Sequence, residues 1–114
     1  MRRPVLLAFA LVAGCSKGPE ADLASISEAR SLGAEWALIN EQASRGRLTG
    51  TYVETMRAGI REQLRIAAAS LTQPDSRYGG EIQTLLAEPD AAAPEELRAH
   101  ADKLKEIEDR LESA

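Results

Sequence analysis

This chain has one cysteine and one histidine. A lone cysteine rules out an internal disulfide. A lone histidine and a lone thiol leave a zinc site, which takes three or four ligands from His, Cys or acids, short of donors. Aromatics make up 4% of residues, with a single Trp, two Tyr and one Phe. Cations are in deficit, 14 Lys and Arg against 18 Asp and Glu, for a formal charge of −4. That balance argues against nucleic-acid binding, because neutralising phosphates needs clustered Lys and Arg. The one N-terminal apolar run, Val5 to Ala13, is also too short to span a bilayer. Its nine residues reach about 14 Å as a helix, against a hydrocarbon core of ~30 Å. No Gly-x-Ser-x-Gly turn occurs, and Gly79-Gly80 lacks the spacing and the Lys-Ser/Thr ending of a phosphate loop. What remains is rich in alanine and leucine with Glu and Arg beside them, a helix-forming mixture.

The N-terminus is the most specific stretch. Met1-Arg2-Arg3-Pro4 is a cationic start, the apolar run follows, and the small residue Gly14 precedes Cys15. A charged start, a short apolar core and small residues at its end describe an export signal. Val12-Ala13-Gly14-Cys15 resembles the lipobox of bacterial lipoproteins. That resemblance implies a diacylglyceryl group on the Cys15 sulfur, cleavage between Gly14 and Cys15, and acylation of the new amino group with a fatty acid such as palmitate. It also implies, through Ser16 rather than Asp after the cysteine, sorting to the outer membrane facing the periplasm. Several acyl chains hold firmly where one holds only marginally, since each buried CH₂ adds ~0.8 kcal/mol. Removing residues 1–14 takes away two arginines and no acid, so the mature chain carries about −6. Surface charge therefore works against attachment to anionic headgroups, and the lipid must supply it.

The mature chain is long enough for one small domain. Residues 15–22 are expected to form a lipidated flexible tether, because Gly18 and Pro19 interrupt regular structure and nothing apolar is there to pack. Residues 23–114 are expected to fold as an all-α domain, a small antiparallel three-helix bundle with one extra short helix. The helices are predicted at about 23–45, 50–72, 80–88 and 94–112. Ala29, Leu32, Trp36, Ile39 and Ala43 line one face of the first. Gly46 is its expected C-terminal stop. Val53, Met56, Ile60, Leu64, Ala67 and Leu71 line the second, with Thr51 and Glu54 read as a capping box. Folding the hairpin about residue 48 sets Trp36 opposite Ile60, with Gly59 making room for the indole. Ile82, Leu85 and Leu86 face inward on the short helix. Pro94 opens the last one, which presents Leu97, His100, Leu104, Ile107 and Leu111.

Candidate sites are few. His100 lies one helical turn after Glu96, which allows an i,i+4 contact. One histidine among solvated charges supports neither a metal site nor a nucleophilic triad, and its expected place is a helix–helix seam. Glu106 and Arg110 are expected to pair on the solvated face of the last helix. Within Gln73–Gly80, expected to be a loop, Asp75, Arg77 and Tyr78 are candidate partner contacts, since loops tend to carry binding. The competing expectation folds Tyr78 back onto the bundle. The sequence implies no cofactor and no metal. Its expected function is a non-catalytic, membrane-anchored lipoprotein of the bacterial envelope with an interaction or accessory role. The partner would be another envelope protein or a second copy. The alternative is a small-ligand binder with a pocket near Trp36 and Tyr78. The domain itself is loosely similar to small uncharacterised helical lipoproteins, a resemblance that implies no activity and no site residue beyond Cys15.

Overall fold

The computed structural model describes residues 18–114. The signal peptide, the cleavage site at Gly14 and Cys15, and the lipidation site lie outside the described residues. Four helices follow one another: α1 Pro19–Ser44, α2 Gly50–Ala69, α3 Arg77–Leu86 and α4 Pro94–Ser113. No strand occurs among the described residues, so the fold is all-α.

The tether expected over residues 15–22 ends sooner than its sequence suggests. Residues 19–22 are the first turn of α1, not flexible chain. Gly18, at φ 85°, makes the turn, and Pro19 then sits at the start of the helix, where its missing N–H costs nothing and its fixed φ is already helical. Glu20 and Asp22 occupy the first turn, favourable beside the positive end of the helix dipole. A Gly-Pro pair read as a breaker is here a helix start.

The start of α2 at Gly50 is as expected, but its cap differs, and the start of α3 moves. Thr49, not Thr51, caps α2, accepting from the Tyr52 N–H at 3.2 Å. Ser76 caps α3, accepting from the Gly79 N–H at 3.1 Å. The expected loop over 73–80 therefore shortens, and Arg77 to Gly80 are helical. Gly46, at φ 69°, closes α1 as expected, its N–H donating to the Ala43 carbonyl at 3.0 Å.

The helix α1 is the centre of the molecule and touches all three others, while α2 and α4 make no close approach to each other. The short helix α3 bridges the gap between them. The expected three-helix bundle with one extra short helix is present, arranged as two helices flanking a central one with α3 filling between them. Both flanks run antiparallel to α1. On the α2 side, Asn40 meets Arg57 and Trp36 meets Arg61, which places the fold of the hairpin at residues 48–49 as expected. On the α4 side, Arg30 meets Glu108 and Glu41 meets Arg98.

The core follows the apolar stripes. Ile26, Ala29, Leu32 and Trp36 of α1 are buried with Val53, Ile60 and Leu64 of α2, Ile82 and Leu85 of α3, and Leu97, Leu104 and Ile107 of α4. Gly59 does not make room for Trp36: a Cβ there would meet open space. The close approach lies at Gly33, where a Cβ would come within 3.2 Å of Leu85 Cδ2 and 3.6 Å of Ala101 Cβ. The central helix needs a small residue at the point where two neighbours press on it.

Gly79 is constrained more severely. A Cβ there would overlap the Pro74 carbonyl oxygen and stand 2.8 Å from its carbon. Backbone cannot yield as a side-chain tip can, so Gly79→Ala is expected to cost about 1–3 kcal/mol through overpacking. Gly80 faces open space, and alanine there is expected to be neutral or to gain up to about 1 kcal/mol of helix propensity. Urea denaturation of the two variants checks the contrast.

Candidate functional site

Polar side chains gather in three places, each fastening a connection to the helices. At the end where α1 begins, Asp22 has no exposed surface. Its carboxylate accepts from the Tyr78 hydroxyl at 2.6 Å, the Thr72 N–H at 2.8 Å and the Gln73 N–H at 3.2 Å. Burial pushes its pKa up, but the bonds from Tyr78, Thr72 and Gln73 outweigh that and hold it below the usual aspartate value. Desolvation and the Asp22 carboxylate raise Tyr78 in turn. Thr72 also closes on the chain entering α1: the Gly18 N–H donates to Thr72 Oγ1 at 3.1 Å, and that hydroxyl donates to the Gly18 carbonyl at 3.2 Å.

At the other end, the connection 87–93 is tied down around Trp36. The buried indole N–H donates to the Asp90 carbonyl at 3.0 Å. Asn40 Nδ2 donates to the carbonyls of Asp90 and Ala92, at 3.0 and 2.8 Å. The Arg61 guanidinium lies 4.8 Å above the Trp36 ring, within range of a cation–π attraction. It also donates to Asp90 Oδ1 at 2.6 Å, to the Leu86 carbonyl at 2.8 Å and to the Glu88 carbonyl. A planar fork with five donors suits this task, which a lysine would not fill.

The third cluster corrects the expected partner of His100. Its ring nitrogens meet Glu81 Oε2 at 2.6 Å and Glu88 Oε2 at 2.8 Å, one carboxylate from α3 and one from the connection after it. Glu96, one turn before, is exposed and is not among those partners. The seam position itself is as expected, with the side chain 13% exposed. Desolvation lowers the His100 pKa, and the two glutamates more than reverse it, leaving it above the ordinary value. Stabilisation by the charged imidazole is therefore complete below the unfolded pKa, about 6.5. It disappears as pH rises through the higher folded value. Relative to His100→Gln, the parent is expected to be more stable by about 2 kcal/mol at pH 5.5, from charge-assisted bonds. Urea midpoints at pH 5.5 and 9 check that the gap shrinks at the higher pH.

These clusters saturate their own donors and acceptors, and no buried side-chain nitrogen or oxygen among the described residues lacks a partner. Their chemistry is that of fasteners. No group of three His, Cys, Asp or Glu side chains among the described residues is placed to hold a metal ion. Of the loop candidates, Tyr78 is buried at 4% exposure and bound to Asp22, so it cannot serve as a surface contact. Asp75 and Arg77 are exposed. Trp36 is buried as well, so the two aromatics expected to line a ligand pocket are both packed away. A groove of about 440 Å³ lies elsewhere, open to solvent between α1 and α2 and floored by Leu32, Met56 and Ile60. The expected Glu106–Arg110 pair is present at 3.6 Å on the solvated face of α4.

Sequence reasoning missed Asp22, Asn40, Arg61, Asp90, Glu81 and Glu88. Arg61 was within reach, because folding the hairpin about residue 48 sets it beside Trp36. Asp22 would have followed from reading Pro19 as a helix start. The glutamates around His100 had no local signal, since they approach it only through the packing of α3 on α4. Comparisons with models of protein families, with curated proteins and with solved structures find no match for this chain.

Proposed function

We propose that this chain is a non-catalytic lipoprotein of the bacterial cell envelope, held to a membrane by acyl chains on Cys15. One observation carries the reading: Val12-Ala13-Gly14-Cys15 follows a cationic start and a short apolar run at the spacing of a lipobox. No helix of the described residues is long and apolar enough to cross a membrane. The polar clusters fit a scaffold role, because their groups are spent on holding the domain together. Ser16 supports the outer membrane, periplasmic face, as the destination. There the domain acts as an interaction or accessory module for another envelope protein or a second copy.

Cys15→Ala tests this reading. The parent is expected to incorporate labelled palmitate and to sediment with membranes. The variant is expected to take up no label and to keep residues 1–14, because processing requires the modified sulfur. Palmitate-free parent protein would remove the anchor. Cross-linking in intact cells is expected to capture a partner with the lipidated parent and to lose it with the variant.

A further inference from the structure

We infer that the domain stands end-on to the membrane, with the N-terminus of α1 and the connection 70–76 set against the lipid headgroups. The inference rests on the lipid anchor proposed above and adds its geometry.

The tether is far shorter than a flexible stretch to residue 22 would allow. Gly18 is bonded in both directions to Thr72, and four residues later Asp22 locks the same turn to Thr72, Gln73 and Tyr78. Residues 18–22 cannot pay out as slack without opening a buried carboxylate cluster. Only Ser16 and Lys17 separate Cys15 from this fixed point. Three peptide steps span at most about 11 Å. The acyl chains on Cys15 lie in the hydrocarbon, so Gly18 and its neighbours are held at the headgroup layer.

Charge selects end-on over side-on. The charges of the anchored end are Glu20, the buried Asp22, Asp75 and Arg77, and Lys17 precedes Gly18 in the sequence. The end thus carries only about −1 of the mature chain's −6. The rest of the mature domain carries the acidic excess, including Glu28 and Glu35 beside the α1–α2 groove and Asp102, Glu106 and Asp109 on α4. An anionic leaflet repels such surfaces within a Debye length of about 8–10 Å. Standing on this weakly charged end keeps most of these acids beyond that range. The 26 residues of α1 then carry the turn 45–49 about 39 Å farther out. Asp75 and Arg77 therefore meet lipid, and a protein partner meets the far tip or the flanks.

Two single-cysteine variants at exposed sites test this, Asp75→Cys at the near end and Arg47→Cys at the far tip, each on the lipidated parent. Cys15 is acylated, so the new thiol alone takes a fluorescent label. The labelled proteins are reconstituted into vesicles of phosphatidylethanolamine and phosphatidylglycerol, with a nitroxide quencher on a fraction of the headgroups. Flotation with the vesicles, loss of emission at position 75 and none at position 47 is the expected result. Flotation with equal quenching at both positions overturns the end-on orientation while leaving the anchor intact. Protein purified from cell membranes that fails to float overturns the anchor, and the orientation with it.

Discussion

Trp36→Ala is expected to destabilise the domain by about 3–5 kcal/mol, the usual cost of removing a large buried side chain. Stability for a domain of this size is about 5–15 kcal/mol in total, so the variant should be close to unfolding. The indole does three things at once. It fills the space between α1 and α2 with no exposed surface. Its N–H holds the Asp90 carbonyl. Its ring is also the platform on which Arg61 lies while binding Asp90, Glu88 and the last residue of α3, Leu86. Trp36→Phe keeps most of the apolar volume and loses the N–H, and a smaller loss is expected from it. Urea titration followed by far-ultraviolet circular dichroism measures both. A loss below about 1 kcal/mol for the alanine variant, the scale of an ordinary surface change, would mean that the indole is not the centre of the core.

The second large effect is expected at Asp22. Removing the carboxylate in Asp22→Ala strips the Tyr78 hydroxyl and two backbone N–H groups of their acceptor. Each hydrogen bond to a charged group is worth about 1.5–3 kcal/mol, and unpaired donors add a desolvation cost. Burying the carboxylate costs free energy in turn, so a net loss on the order of 3 kcal/mol is expected. The pH dependence separates this group from its neighbours. The folded pKa of Asp22 is lowered, so its stabilisation is fully present above the unfolded value of about 3.9. It is lost as pH falls through the lower folded value. Asp22→Asn is expected to be less stable than the parent at pH 6 and to lose less on acidification. Urea midpoints at pH 6 and pH 2.5 check both statements. Equal acid sensitivity in the two proteins would contradict the role given to the carboxylate.

The sequence disclosed this fold where one residue and its helical neighbours decide the outcome. The stripe of α1, that of α2 as far as Ala67, Pro94 at the head of α4 and the Gly46 stop all follow from spacing and backbone preference, and the structure has them where expected. The helix α2 ends at Ala69, however, and leaves Leu71 beyond it. Gly18-Pro19 was ambiguous because the same pair ends structure in one context and starts a helix in another. What resolved it was Asp22, whose partners lie fifty and more residues away. The roles of Gly33 and Gly79 were invisible for a similar reason, since each is set by a neighbour from another element. His100 shows the same limit: the turn of helix offered Glu96, and packing supplied Glu81 and Glu88. Local pattern gave the helices, and long-range polar contacts determined how the connections fasten to them.

Membrane attachment and orientation both depend on the chemical state of Cys15. Mass spectrometry of the N-terminal peptide from protein purified out of cell membranes reads that state directly. The expected product is a chain that starts at Cys15, carrying a diacylglyceryl thioether and an acylated amino group. A chain still bearing residues 1–14, or one that begins at Cys15 with an unmodified thiol, would contradict it.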